Sequence, residues 1–142
     1  MKKSILVAVV SITTALNACA QKLKESEVPA TVKTSFSKQY PGITAKWEKE
    51  AGKYEAGFKA GGVNTSVLYD LNGTMVEIET EINVQSLPAT VTTYIKENYK
   101  GKNIKEAAKI TKADGSVNYE AEINGRDLIF DATGKFLKEV KD

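Results

Sequence analysis

Val28-Pro-Ala-Thr-Val32 recurs as Leu87-Pro-Ala-Thr-Val91 about 60 residues further along the chain. Three more segments of the first half recur in the same order in the second half, with small changes of spacing between them. They pair Tyr40-Pro-Gly42 with Tyr99-Lys-Gly101, Tyr54-Glu-Ala56 with Tyr119-Glu-Ala121, and residues 68–73 with residues 129–134. A sustained period of this kind indicates a duplicated structural unit of about 55 residues.

A helix is predicted at the start of each unit. Val28, Val32, Phe36 and Tyr40 are spaced four residues apart, as on one face of a helix. The second unit carries a corresponding apolar stripe, which consists of Leu87, Val91, Tyr94, Ile95 and Tyr99. Proline suits the first turn of a helix and glycine the position just past its end. The pattern therefore predicts helices over residues 28–40 and 87–99.

Four short strands are predicted after each helix, because the apolar period there changes from about four residues to two. Turn signals such as Gly61-Gly62 and Asn72-Gly73 separate the alternating segments. The predicted strands span residues 43–47, 54–58, 63–69 and 76–82, and then 104–110, 117–123, 127–130 and 135–140. The alternation predicts that each sheet has one apolar face under its helix and one wet face.

The expected fold class is α+β. We predict a tandem duplication of a helix followed by a four-stranded antiparallel sheet, with the first unit at residues 28–84 and the second at residues 85–142.

The N-terminal 18 residues have the features of a secretory signal peptide. Two lysines precede an apolar run over residues 5–16, which is too short for a permanent membrane span. The segment Leu-Asn-Ala-Cys at residues 16–19 resembles a bacterial lipobox, which predicts cleavage before Cys19, a lipid on its thiol, and a tether over residues 19–27. The alternative is ordinary signal-peptidase cleavage after Ala20, with Ala18 and Ala20 as the small residues of the site.

Charge and cysteine content exclude several classes of function. The chain has 20 basic and 18 acidic residues, and loss of Lys2 and Lys3 with the predicted signal leaves 18 of each. A nearly neutral mature chain lacks the basic surface that nucleic-acid binding requires. Cys19 is the only cysteine, so no disulfide within the chain is expected.

Residue types needed for common catalytic chemistry are also missing. The chain has no histidine, which excludes Ser-His and Cys-His nucleophile pairs and most zinc sites. Ser35 and Lys38 match a Ser-x-x-Lys motif, but no Lys-Thr-Gly element follows. Asp70 and Glu81 have the spacing of a calcium loop, but glycine does not fall at its turn position, so a simple hairpin turn is expected. We predict no catalytic residue, no metal site and no cofactor.

Two sets of residues are candidates for contacting a partner. Glu77, Glu79 and Glu81 share the predicted wet face of one strand, where carboxylates either solubilise the surface or bind a charged partner. The second set is aromatic and consists of Trp47, Tyr54, Tyr69 and Tyr119. Tryptophan and tyrosine anchor many interfaces, but these four also fit the apolar alternation, which would place them in the core.

The repeated motifs together resemble the PepSY-like family of small exported bacterial proteins, which are also likened to beta-lactamase-inhibitor protein. The motifs are Pro-Ala-x-Val near the helix start, Tyr-Pro-Gly at its end, a Tyr-Glu-Ala strand, and an aromatic residue with Asp-x-x-Gly before the last strand. The resemblance covers residues 28–140. It implies tandem units in which a helix packs on a curved antiparallel sheet, in periplasmic or envelope proteins.

The predicted function is that of an exported, lipid-anchored and non-catalytic binding or inhibitory module of the cell envelope. Its partner would be a protein or peptide that contacts the sheet face opposite the helices. The expected location is the periplasm or, through the lipid, the outer membrane, and the expected state is a monomer or weak dimer. One alternative is a small-molecule or lipid carrier with its ligand between helix and sheet. Another is an enzyme that uses only carboxylates, serine and lysine.

Overall fold

Nine antiparallel strands form one sheet in which every strand pairs with its neighbours in sequence. The computed structural model describes residues 20–141, so the predicted signal peptide and Cys19 lie outside the described residues. The strands are β1 (Gln21–Leu23), β2 (Lys46–Glu50), β3 (Lys53–Ala60), β4 (Val63–Tyr69), β5 (Met75–Ile82), β6 (Glu106–Lys112), β7 (Val117–Glu122), β8 (Arg126–Asp131) and β9 (Phe136–Lys141). The helices are α1 (Ala30–Gln39) and α2 (Ala89–Asn98).

Both predicted helices and all eight predicted strands are present, with boundaries that shift by up to three residues. The prolines Pro29 and Pro88 each stand immediately before a helix, as their fixed backbone angle favours. Within residues 20–141, neither helix is long and apolar enough to cross a membrane.

The two predicted sets of four strands join into one sheet, because β5 pairs with β6; the sequence alone left open whether they join. Residues 77–82 of β5 are in register with residues 107–112 of β6, and this pairing joins the strands that follow α1 to those that follow α2. Each helix is still followed by four strands in the same order. That this order arose by duplication stays a prediction.

Part of the predicted tether over residues 19–27 is a strand of the sheet. Gln21–Leu23 forms β1, which pairs with β2 at the edge of the sheet. Leu23 lies opposite Trp47 and packs against the first apolar core. Burial of this side chain explains why a short polar segment is held as a strand instead of remaining a free linker.

Both helices lie on the same face of the sheet, each over its own apolar core. The first core consists of Val28, Val32, Phe36, Trp47, Tyr54, Ala56, Phe58, Val67 and Tyr69. The second core consists of Leu87, Val91, Ile95, Ala107, Ala121, Ile123, Leu128 and Phe130. Ile78 and Ile82 project from the same side of β5, and they pack against the first and second core respectively. Neither α1 nor α2 lies over the opposite face of the sheet, which carries Glu55, Glu77 and Glu79; we call it the helix-free face.

Each helix is fixed to its sheet by the turn before the last strand of its half. The Asp70 carboxylate accepts hydrogen bonds from the backbone N–H groups of Asn72 and Thr74 at 2.8 and 2.9 Å. The hydroxyl of Thr31 on α1 donates to the carbonyl of Leu71 in the same turn at 3.0 Å. Because the Asp70 carboxylate is used in the turn, its role is structural and the calcium-loop reading has no support.

The second half repeats this arrangement. Asp131 accepts from the N–H groups of Thr133 and Lys135 at 2.8 and 3.0 Å, and the Thr90 hydroxyl on α2 donates to the carbonyl of Thr133 at 2.8 Å. Gly134 in this turn has φ +83° and lies against α2. The sheet and both helices are therefore held in fixed positions, and the helix-free face is the surface left for other contacts.

Candidate partner-binding face

The helix-free face is concave. In a flat sheet, β3 and β9 would lie about 29 Å apart, because neighbouring strands are about 4.8 Å apart. Residues of both strands nevertheless line one cleft of about 730 Å³, with Glu55 on one side and Lys141 on the other. The sheet must therefore curl, with the helices on its outer side and the cleft on its inner side.

Charged and aliphatic side chains both line the cleft. Six carboxylates line it, from Glu50, Glu55, Glu77, Glu79, Glu120 and Asp127, together with three lysines, Lys112, Lys138 and Lys141. Its aliphatic residues are Ile110, Ile129, Leu137 and Val140. Leu137 and Val140 are 48% and 39% exposed, so the cleft combines apolar contact area with an excess of negative charge.

Glu79 lies among the carboxylates of the cleft. It faces Ser66 across the β4–β5 pair, and it faces Ile110 across the β5–β6 pair. Burial raises the pKa of Glu79 to about 7, with smaller contributions from the nearby carboxylates of Glu55 and Glu77. Glu79 therefore takes up and releases its proton close to neutral pH.

Glu55 shares this environment. Burial raises the pKa of Glu55, and the negative charges of Glu48, Glu50 and Glu77 raise it further, while a hydrogen bond with Ser66 acts in the opposite direction. Glu55 and Glu79 also line a second cavity of about 580 Å³ towards β2, with Lys46, Lys59 and Glu81. Because two residues belong to both cavities, the cleft continues across the first half of the sheet.

The three carboxylates predicted on β5 do lie on one face, but they are not equally exposed. Glu77 and Glu79 are half-buried and only Glu81 is exposed, where its carboxylate accepts a hydrogen bond from the Asn64 side chain. The predicted wet face is therefore only partly solvated at Glu77 and Glu79. Curvature brings side chains of neighbouring strands around Glu77 and Glu79 and excludes part of the water.

The four aromatic candidates lie on the side of the sheet that carries the helices. Trp47, Tyr54 and Tyr69 are 5%, 6% and 0% exposed, and the ring of Trp47 meets that of Phe36 edge to face at 5.4 Å. Tyr119 is half-buried and packs against the second core. The folded protein therefore does not present the first three to a partner, whereas a contact role for Tyr119 stays a prediction.

Tyr69 illustrates how the core uses its aromatic residues. Its hydroxyl donates a hydrogen bond of 2.9 Å to the side-chain oxygen of Gln39 at the end of α1. Burial raises the pKa of Tyr69 to about 12, with a smaller effect of Tyr40. Tyr69 thus joins helix and sheet.

Several residues of the cleft were missed at the level of sequence. Ile110 and Ile129 were placed only within predicted strands, and their side chains line the cleft on the helix-free face. Glu55 was read only as part of the Tyr-Glu-Ala motif. The signal that could have identified it is its alternation with the core residues Tyr54 and Ala56, which directs Glu55 to the helix-free face.

The space under α1 is smaller than an ordinary ligand pocket. The cavity between α1 and β2, beside Phe36 and Trp47, has about 70 Å³, whereas small-molecule pockets have about 300–1,000 Å³. Within residues 20–141, no group of three or more carboxylates has the geometry to hold a metal ion.

Comparison with known proteins gives a family and a fold. The family model described as "Putative beta-lactamase-inhibitor-like, PepSY-like" matches residues 14–77 and again residues 52–138. A comparison with curated proteins gives no match.

Solved structures of Bacteroides proteins share the fold. A periplasmic protein from Bacteroides eggerthii is 16% identical, with a TM-score of 0.69 over 80% of this chain and 88% of that chain. A protein of the DUF2874 family from Bacteroides uniformis is 20% identical, with a TM-score of 0.67 over 79% and 88%.

A BLIP-like protein from Bacteroides fragilis is 28% identical, with a TM-score of 0.59 over 79% of this chain and 85% of that chain. The two family matches together cover most of the sequence and agree with the motifs that recur along it. The chain belongs to the PepSY-like, beta-lactamase-inhibitor-like family.

Proposed function

We propose that this protein is an exported, non-catalytic binding or inhibitory module of the cell envelope, and that its contact surface is the concave helix-free face. The observation that carries the proposal is the cleft of about 730 Å³ that runs across the strands on this face. A rigid sheet presents it, and exposed aliphatic side chains line it beside charged ones. This mixture is typical of the surfaces that recognise proteins.

The size of the face fits a protein partner. Nine strands with a spacing of about 4.8 Å, each about 20 Å long, give a face of about 800 Å². A stable protein interface buries about 800 Å² on each partner. One partner that fills the concave side would therefore meet the usual requirement without further surface.

Export is supported by the signal-like segment and by the fold. The apolar run over residues 5–16 follows two lysines, and the B. eggerthii protein with the same fold is described as periplasmic. Lipidation at Cys19 remains the preferred processing, with cleavage after Ala20 as its alternative. The mass of the N-terminal peptide of the protein isolated from the envelope distinguishes the two.

Binding fits the site better than catalysis. A carboxyl group with a pKa of about 7, such as Glu79, would suit a general base. However, the charged residues are spread over an open face, and the chain has no histidine to complete a conventional proton relay. A carrier function with its ligand under α1 is less well supported, because the space between α1 and β2 is too small for a ligand.

Site-specific crosslinking tests the proposed face. Benzoylphenylalanine would replace either Lys112 or Lys138 in the cleft, or either Lys38 or Lys96 on the outer sides of the helices. All four variants would be exposed to light in an envelope extract of the producing bacterium. We expect a defined protein adduct from the two cleft positions and none from the helix positions. Adducts from the helix positions alone, or from none of the four, would contradict the proposal.

A further inference from the structure

The carboxylates of the cleft concentrate negative charge that the rest of the chain does not have. Without Lys2, Lys3 and Asp142, which lie outside the described residues, 18 basic and 17 acidic residues remain. The cleft alone contains six carboxylates and three lysines. The excess of carboxylates over lysines is therefore confined to the concave face.

Within residues 20–141, neither salt bridge involves Glu55, Glu77 or Glu79. The salt bridges there join Lys105 to Glu122 at 3.1 Å and Arg126 to Glu139 at 2.7 Å. Glu55 is held by Ser66, a neutral group. Lys112 lies opposite Glu77 across the β5–β6 pair, so an incoming cation would supply counter-charge mainly to Glu55 and Glu79.

We propose that the cleft binds a basic segment of a partner protein, with a lysine or arginine side chain against Glu55, Glu77 and Glu79 and aliphatic contacts to Ile110, Ile129 and Leu137. This inference rests on the proposed function, because it uses the same face. Charge complementarity identifies the partner: an acidic segment would meet the excess carboxylates, whereas a basic one replaces their mutual repulsion with attraction.

Binding of a cation is coupled to release of a proton. Glu79 titrates near pH 7 because it is buried and lies near Glu55 and Glu77. Other charged groups also line the two adjoining cavities. They are Lys46 and Glu50 on β2, Lys59 on β3, Glu81 on β5, Lys112 on β6, Glu120 on β7, Asp127 on β8, and Lys138 and Lys141 on β9. A bound lysine or arginine stabilises the ionised form of Glu79 and lowers its pKa, so the complex is weaker at pH 6 than at pH 8.

Calorimetric titration of the full chain with a dodecapeptide of alternating lysine and alanine tests the inference. We expect binding at pH 8 that weakens several-fold at pH 6, with release of protons to the buffer. The double variant Glu77→Gln/Glu79→Gln should bind about tenfold more weakly, as expected when a close charge pair is removed. The matched variant Glu25→Gln/Glu97→Gln removes the same charge from outside the cleft, and its affinity should change less than about twofold because exposed distant charges are screened.

Three outcomes would overturn the inference: no binding of the basic peptide, equal binding of an alternating glutamine and alanine peptide, or equal weakening by both double variants. Circular dichroism of each variant would show that it remains folded. If crosslinking identifies a partner on the helix-free face whose affinity is unchanged by Glu77→Gln/Glu79→Gln, the proposed function stands and this inference fails. If no cleft position crosslinks, the proposed function itself fails.

Discussion

Gly134 packs directly against Thr90, so that a Cβ atom on Gly134 would lie 1.8 Å from the Thr90 hydroxyl oxygen and 2.8 Å from its Cβ. The contact joins the turn before β9 to helix α2. It also gives a sharp test of how closely helix and sheet are packed.

Gly134→Ala should destabilise the protein strongly. Gly134 and Gly115 have nearly the same backbone conformation, with φ +83° and +84°, but a Cβ on Gly115 would meet nothing within 4 Å. Gly115→Ala should therefore lose about 1–2 kcal/mol from backbone strain alone. Gly134→Ala should lose at least about 2 kcal/mol more, because overpacking adds to the strain. Urea unfolding measures both, and equal losses would show that the turn can move away from α2.

Loss of the Tyr69 hydroxyl should weaken the connection between α1 and the sheet. Tyr69→Phe keeps the ring in the core but leaves the side-chain oxygen of Gln39 without its 2.9 Å hydrogen bond. We expect a loss of about 1 kcal/mol in the free energy of unfolding. Tyr119→Phe, at a half-buried position, serves as the comparison and should change stability less. A neutral effect of Tyr69→Phe would mean that water replaces the hydroxyl.

Glu79 should make the folded protein less stable as pH rises. Its pKa is about 7 in the folded state and about 4.3 in an unfolded chain. Between these two pH values the folded state binds more protons than the unfolded state. The contribution of Glu79 to the free energy of unfolding is therefore largest below about pH 4.3 and decreases until about pH 7. Glu79→Gln should remove this decrease and raise stability at pH 8 by about 1–2 kcal/mol, with allowance for partial solvent exposure.

Urea unfolding of the wild-type protein, Glu79→Gln and Glu97→Gln between pH 4.5 and pH 8 measures this effect. Glu97 is an exposed residue of α2, and its variant should keep the wild-type profile. If Glu79→Gln also keeps the wild-type pH profile, the Glu79 carboxyl titrates as an ordinary solvated group, and its burial in the cleft does not raise its pKa.

The two cores should unfold together. The single tryptophan, Trp47, lies in the first core, whereas Leu128 is fully buried in the second. Leu128→Ala should cost about 2–5 kcal/mol. Because β5 pairs with β6 over six residues, we expect the fluorescence transition of Trp47 to shift to lower urea together with the loss of circular dichroism. A Trp47 transition that stays at its wild-type midpoint would show that the two halves unfold independently.

The sequence predicts most of the secondary structure because periodicity is a local property. The four-residue spacing from Val28 to Tyr40 and the alternation along residues 63–69 give each element and its apolar side directly. Strand partners are not local. Nothing in the alternation along residues 76–82 says that their second neighbour is β6, so the single sheet could not be predicted.

The candidate site was predicted only in part, for a related reason. Alternation correctly places Glu77 and Glu79 on the face opposite the core, but their burial depends on curvature that brings residues of distant strands together. Alternation also gives the same pattern for a core aromatic residue and for one on an apolar contact surface. Trp47 and Tyr69 could therefore be assigned to the core only once the positions of the helices were known.

Because β5 pairs with β6, the first half of the chain cannot complete the sheet until the second half is present. A chain that leaves the secretion channel with its N-terminus first would complete α1 and β2–β5 before β6 emerges. During that interval the backbone groups of β5 form an open edge, and such edges recruit other strands. The charged residues Glu77, Glu79 and Glu81 on that edge would then repel identical copies, which protects the half-emerged chain against aggregation until its own second half arrives.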